Sequence, residues 1–193
     1  MNGDGEGDFG SCIFKKRNAQ SYFAIQTFAA PIVQTQGTAQ GFHFDNATMK
    51  PIINNEGWKK AFELYKATGK YGPPDELNMD IGDTRALFKA GRCGLIVEWG
   101  DPGTLQLDDD AKSIRGKMYA ISAVGSTEVL DRATGKLVPV SATTAPYAVD
   151  GINYAPFAAF GGWAGAVNKG ADAKTKAAAY AFLSYMNQAA QSG

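Results

Sequence analysis

Few residues in this chain are equipped for chemistry, and their spacing limits what that chemistry is. Glu98 and Asp101 stand three apart with Trp99 between them. Two carboxylates so placed could imitate the acid and base of a glycoside-cleaving pair. Recognition of sugar hydroxyls beside a stacking ring explains them equally well. The single histidine, His43, sits in an alternating apolar–polar run with no serine elbow nearby. It reads as a half-buried packing residue rather than the base of a triad. Asp108-Asp109-Asp110 is the charge pattern of a solvated helix end. No GxxxxGK[ST] occurs, and the glycine-rich start precedes a strand-like run instead of following one. Phosphate-loop and dinucleotide chemistry are therefore not expected. The chain does not read as an enzyme, and no cofactor is implied.

Metal chemistry has little to build on. One histidine and two cysteines, without a Cys-x-x-Cys pair, cannot make a four-ligand zinc site unless carboxylates complete it. Residues 2–8, NGDGEGD, alternate oxygen-bearing side chains with glycines as a calcium loop does. The first acidic position of such a loop would fall before Met1, however, and Ser11 stands where the closing glutamate belongs. Residues 1–10 thus read as a flexible, acidic, glycine-rich lead, and no metal is expected. Cys12 and Cys93 both fall in strand-like runs, where buried free thiols are the ordinary outcome. A mutual disulfide, which would suit secretion, is the alternative. Asn46-Ala47-Thr48 is an N-glycosylation triplet on an expected turn, meaningful only outside the cell.

Composition excludes further classes. Nineteen basic residues balance nineteen acidic ones, 45% of the chain is apolar, and the formal net charge is zero. Such a chain is not compositionally disordered. It has no basic footprint for nucleic acid or an anionic membrane surface. No run approaches the ~18 apolar residues of a membrane helix, and residues 1–20 lack the apolar centre of a signal peptide. No direct membrane insertion is expected.

The elements that would position these residues follow from periodicity. Residues 11–16 (SCIFKK) read as a strand, and 21–34 as a buried helix that kinks or ends before Pro31. Residues 41–45 alternate, and Asn46 turns the chain. The clearest helix spans 56–68, with Trp58, Ala61, Phe62 and Tyr65 on one face and Gly69 as its stop. A short helix over 84–90 has Asp83 as its N-cap and Gly91 as its end. It feeds an apolar run over 93–97, expected as a buried sheet strand. Residues 118–124 read as a further strand and 128–140 as a hairpin turning at Arg132-Ala133-Thr134-Gly135. A strand over 163–168 and a helix over 172–187, with Ala179, Phe182, Leu183 and Met186 on one face, complete the series. Strands alternating with helices argue for a layered α/β fold.

The order of the segments resembles a known family. GWKKAFELYKATGKYGPP precedes DTRALFKAGRCGLIVEWGDPGTL, and FGGWAGAVNKGADAKTKAAAYAFLSYM comes later. Phe88, Gly91, Arg92, Gly94 and Leu95 fall on one motif, followed by Trp99 and Gly100. Gly161 to Trp163 with Asn168 and Lys169 form the next, and Ala177, Ala178, Phe182, Leu183 and Met186 the last. This ordered set resembles the extracellular solute-binding proteins of ABC transporters, of the sugar-binding type. The segment from VLDRATGKLVPV to AAFGGW is also similar to binding-protein-like ectodomains of algal membrane receptors. The resemblance covers most of residues 10–190 but falls mainly on the second of the family's two lobes. It implies a periplasmic-binding-protein-like type II α/β fold, present as one lobe or a partial two-lobe domain over residues 11–193. The chain then reads as a fragment of a longer, extracellular or periplasmic protein.

The resemblance also implies the site. Aromatic rings in that family stack on sugar faces in the cleft between lobes, while polar neighbours hold the hydroxyls. Carried over by position, the ligand-binding residues are Tyr22, Trp99, Asp101, Gly162 and Trp163. The implied function is non-catalytic binding of a small solute, most simply a carbohydrate, for transport or sensing. The implied partners are that solute, a first lobe, and a membrane transporter or receptor. A structural or interaction module that has lost its small ligand is the alternative.

Overall fold

A computed structural model describes residues 7–37, 40–100, 102–155, 165–188 and 190. The chain is a mixture of helix and strand that falls into two compact units, Met1–Ala159 and Phe160–Gly193. In the first unit lie helices α1 (Ser21–Val33), α2 (Glu56–Ala67), α3 (Ile81–Lys89) and α4 (Pro102–Leu105), then strands β1 (Glu128–Asp131) and β2 (Lys136–Pro139). The second unit contains α5 (Ala173–Met186).

The first unit is organised around α1. Its sequence SYFAIQTFAAPIV is apolar on every side, and Phe23, Ala24, Ile25 and the whole run from Ala29 to Val33 are buried. A helix apolar all round must be surrounded. One flank packs Ile25, Ala29, Ile32 and Val33 against Trp58 and Ala61 of α2 and Leu130 of β1. The other packs Phe23 and Ala24 against Ile13, Phe14 and Ile81. Phe28 and Tyr65 touch both clusters and join them. The α1–α2 approach is close because residue 57 is glycine: a Cβ there would lie 2.8 Å from Val33 Cγ1. Pro31 does not end α1. It sits two residues from the C-terminus, so it removes a single amide from the ladder, and the helix completes its last turn.

The hairpin forms where its pattern places it. Strand β1 pairs antiparallel with β2 from Glu128↔Pro139 to Asp131↔Lys136, leaving residues 132–135 as the turn. Gly135 takes φ +71°, a left-handed conformation that glycine adopts without strain. The Asp131 carboxylate holds the turn by accepting from Ala133 N at 2.9 Å and the Thr134 hydroxyl at 2.7 Å.

The other expected strands come out differently. Residues 9–12 and 93–96 meet only through two parallel bridges, Phe9↔Cys93 and Cys12↔Ile96. Gly94 and Leu95 face solvent there, so the apolar run over 93–97 is not a buried sheet strand. What joins the two segments is covalent. Cys12 and Cys93 form a disulfide with Cα atoms 5.8 Å apart, which replaces the expectation of free thiols. Residues 118–124 form no regular element and have no strand partners among the described residues, with Tyr119, Ile121 and Val124 exposed. Of the strand expected over 163–168, the described part, 165–168, is irregular.

Helix details differ too. The third helix begins at Ile81, three residues before the expected start. Its N-cap is Asp80, and Asp83 is the third helical residue, accepting the Asp80 N–H at 2.9 Å in a capping box. On α2, Phe62 is 55% exposed while Trp58 and Ala61 are buried. Helix α5 begins after Asp172, whose carboxylate accepts from Thr175 N at 3.0 Å, but none of its residues is buried. The expected core face of Ala179, Phe182, Leu183 and Met186 therefore leaves Phe182 and Met186 exposed.

Candidate functional site

Of the five residues expected at a ligand site, Tyr22 and Trp99 are described; Asp101, Gly162 and Trp163 lie outside the described residues. The fold brings Tyr22 and Trp99 to the same end of α1. Tyr22 is 49% exposed in the helix's first turn and stacks obliquely on Phe23, with ring centroids 4.1 Å apart. Phe23 is buried and meets Trp99 edge to face at 5.4 Å. The three rings thus run in series from an exposed phenol through a buried ring to a partly exposed indole.

Trp99 lies on an irregular segment with no regular strand to hold it, so its side-chain neighbours fix its position. Arg85 on α3 lays its guanidinium over the indole, 5.7 Å from the ring centroid. The same guanidinium grips Glu98 with both arms, Nε to Oε2 at 2.8 Å and an Nη to Oε1 at 2.9 Å. Glu98 Oε1 also accepts the Trp99 N–H at 2.7 Å. A bidentate, charge-assisted pair of this kind has fixed geometry, and only 4% of the Glu98 side chain is exposed. Both of its oxygens are thus engaged, Oε2 by Arg85 and Oε1 by Arg85 and the Trp99 amide, and these bonds fix the segment that carries the indole. Arg85 was not singled out from the sequence; its relation to Glu98, 13 residues later, depends on how α3 packs.

A buried charge pair underlies this end of the molecule. The Glu76 carboxylate pairs with the Lys15 ammonium, the two side chains being 4% and 6% exposed. It also accepts the Ile13 N–H at 2.7 Å. Gly72 makes room for it, since a Cβ on Gly72 would lie 2.5 Å from the Glu76 carboxyl carbon. Above the pair, Tyr65 donates its hydroxyl to Phe14 O at 2.9 Å. Burial, reinforced by the Glu76 charge, pushes the phenol up to about 12, so it remains a donor at any physiological pH.

At the opposite end of α1 lies an open cleft of ≈ 350 Å³ lined by Thr35, Gln36, Gln40, Asp131, Arg132 and Thr144, among others. Its polar groups mostly serve the fold. Gln40 Oε1 accepts the amides of Thr35 and Gln36 at 2.8 and 3.0 Å. The Arg132 guanidinium donates to the carbonyls of Val33, Gln40 and Gly41. Asp131 is committed to its turn. Of these residues the sequence singles out only Arg132, as part of the hairpin turn. The bonds they make among themselves and to the α1 end make the cleft mainly a structural junction, with the buried Arg132 Nε left without a partner.

His43 is half-buried between Phe42 and Trp58, as its place in the alternating run suggests, and burial holds it below its ordinary value. Among the described residues, no group of three or more His, Cys, Asp or Glu is placed to hold a metal ion, and no helix is long and apolar enough to cross a membrane. Comparison with known proteins adds no relative: no family model, curated protein or solved structure matches the chain.

Proposed function

We propose that this chain is one lobe of a two-lobed, periplasmic-binding-protein-like α/β protein that binds a small solute, of carbohydrate type, without catalysis. The observation that carries the reading is the placement of Trp99. A large ring is kept partly exposed at the end of a helix, braced by Phe23 and by the Arg85–Glu98 pair, with a second exposed ring, Tyr22, beside its support. Rigid rings offer the apolar face of a sugar a large desolvated contact with little loss of rotamer freedom. In the complete protein the first lobe supplies the remaining contacts, ligand favours a closed state, and a transporter or membrane receptor reads that state. The Cys12–Cys93 disulfide supports an extracellular or periplasmic setting, since such bonds persist where thiols are oxidised.

Calorimetric titration with mono- and oligosaccharides tests the reading. A ring–sugar contact worth ~1.4 kcal/mol corresponds to roughly tenfold in affinity. Trp99→Ala and Tyr22→Ala should each weaken binding by about that factor, and Arg85→Met should weaken it through loss of the bracing of Trp99. Trp163→Ala extends the test to the other ring expected at the site. Affinity unchanged in all four variants would remove Trp99 and its neighbours from the site.

A second reading, of an interaction module without a small ligand, is favoured by α5. Its Tyr180, Phe182, Tyr185 and Met186 are between 48% and 65% exposed. Aromatic and methionine side chains left uncovered on one helix suit a protein partner. A partner whose binding slows hydrogen exchange along α5, in a chain that binds no saccharide, would favour this reading.

A further inference from the structure

We infer that Asn46 is an N-glycosylation site, carrying an oligosaccharide when the chain is made in a eukaryotic secretory compartment; the inference rests on the extracellular setting proposed above. Asn46-Ala47-Thr48 is the only Asn-x-Ser/Thr triplet in the chain. The fold places all three residues, exposed, at the tip of a tight turn. Its base is closed by the Phe44↔Pro51 bridge and by hydrogen bonds from Asp45 N to Lys50 O at 2.9 Å and from Ile52 N to His43 O at 2.8 Å. At the tip, Asp45 Oδ1 accepts the Thr48 N–H at 2.8 Å and the Thr48 hydroxyl at 2.7 Å. The turn is thus secured from its base, and its exposed tip can bear a bulky group without disturbing the core; the Asn46 side chain itself rests near Gly41, where a Cβ would lie 3.0 Å from its Oδ1.

Two further observations point the same way. The chain contains a disulfide, and the secretory compartment that oxidises thiols is the one in which asparagines are glycosylated. The turn also carries apolar side chains that nothing covers among the described residues: Phe44, Met49 and Ile53 are 48%, 67% and 50% exposed. Three such side chains around one turn are an association hazard in water. A hydrated glycan at Asn46, two residues from Phe44 and three from Met49, would add polar bulk to the same turn.

The transfer balances without redox chemistry. The Asn46 side-chain nitrogen bonds to C1 of the first sugar of a polyprenyl-diphosphate-linked oligosaccharide. The bond from C1 to the diphosphate oxygen breaks, the diphosphate leaves with the electron pair, and one amide proton passes to a base of the transferase. The Thr48 hydroxyl is the part of the triplet that the transferase recognises.

The test is translation of the full chain behind a cleavable secretion signal in the presence of endoplasmic-reticulum microsomes. The protease-protected product is then weighed before and after peptide N-glycosidase. The expected result is one increment of oligosaccharide mass, removed by the glycosidase with conversion of that asparagine to aspartate. The increment should be absent in Asn46→Gln and Thr48→Ala and present in Thr48→Ser. A protected wild-type chain of unmodified mass overturns the inference, as does an increment that survives Asn46→Gln. Mobility on a non-reducing gel reports the Cys12–Cys93 bond in the same sample. An oxidised but unmodified chain removes the glycan and leaves the proposed setting intact; a glycosylated chain without sugar affinity does the reverse for solute binding.

Discussion

His43 is the side chain whose charge state is tied most directly to packing near neutral pH. Its ring lies 4.7 Å from Phe42 and 5.4 Å from Trp58, centroid to centroid, and its Nε2 is 2.9 Å from the Gln26 amide nitrogen. An amide N–H can donate only to an unprotonated ring nitrogen, so this contact selects neutral imidazole with the proton on Nδ1. Burial also favours the neutral form and lowers the group below its ordinary 6.5. Between the lowered folded value and the unfolded one, the unfolded chain binds more protons, so stability rises with pH across that window. Acidification from pH 7 to 5 should therefore lower the melting temperature, and His43→Phe, which keeps an aromatic ring there, should flatten that slope. An equal slope in wild type and variant would show that other groups set it. Asp45, Asp131, Asp172 and Glu56 are held low by their hydrogen bonds, so their contributions are lost only at lower pH, as it falls through the carboxylate range. A second residue-scale outcome concerns Tyr65. Tyr65→Phe keeps the ring that joins both core clusters but leaves Phe14 O without its donor. It should cost ~1 kcal/mol in chemical denaturation, and a neutral result would mean that water replaces the phenol.

At the scale of elements, α1 shows what periodicity reveals and what it hides. Its continuous apolar sequence announced a buried helix, and Asn46, Gly69 and the run 132–135 announced turns, because these signals are local. The termination of α1 is not local. Asn153 donates its Nδ2 to Pro31 O at 2.7 Å and Gln34 O at 3.0 Å, from 122 and 119 residues away, and Arg132 reaches Val33 O from 99 residues away. These donors satisfy the carbonyls that a helix C-terminus leaves open, and the Arg132 charge suits the negative end of the helix dipole. No pattern within 21–34 could name them, and that is why a helix expected to kink or end before Pro31 instead runs on to Val33. The same limit explains Arg85. The Arg85–Glu98 pair, 13 residues apart, depends on how α3 packs, whereas the Asp80–Asp83 capping box is local, and two aspartates three apart left either one open as the N-cap. Trp99 and Tyr22 were legible as rings in suggestive places, but the brace that orients Trp99 was not. Arg132→Met, which retains the apolar stem, should destabilise the fold by about 1–3 kcal/mol through unsatisfied carbonyls. Amide exchange in the last turn of α1 should accelerate more than in its first. Uniform acceleration along the helix would show that Arg132 acts on the global fold instead.

For the whole molecule, the disulfide does what a sheet does in most α/β proteins. The segments around Cys12 and Cys93 are far apart in sequence and meet through two bridges, without a regular ladder to fix their register. Yet residues 11–14 are buried, and Ile13 and Phe14 belong to the cluster that supports Phe23 and, beyond it, Trp99. Holding this segment against α1 and Glu76 is therefore a condition for the candidate site. The bond spans 81 residues; in chain-entropy terms, closing such a loop in the unfolded state stabilises the fold by ~4.5 kcal/mol. That is larger than the loss expected from either Tyr65→Phe or Arg132→Met. The double substitution Cys12→Ser, Cys93→Ser should accordingly lower the urea midpoint more than either of them. It should also raise the denaturant slope, because an unfolded chain without the cross-link exposes more surface. Adding reductant should leave the double variant unchanged and bring the wild type toward it. A wild type whose midpoint and slope do not respond to complete reduction, verified by thiol titration, would mean that the buried contacts of residues 11–14 alone hold the segment. Saccharide titration of the reduced wild type then separates the two roles, since a site that depends on this segment weakens as the midpoint falls.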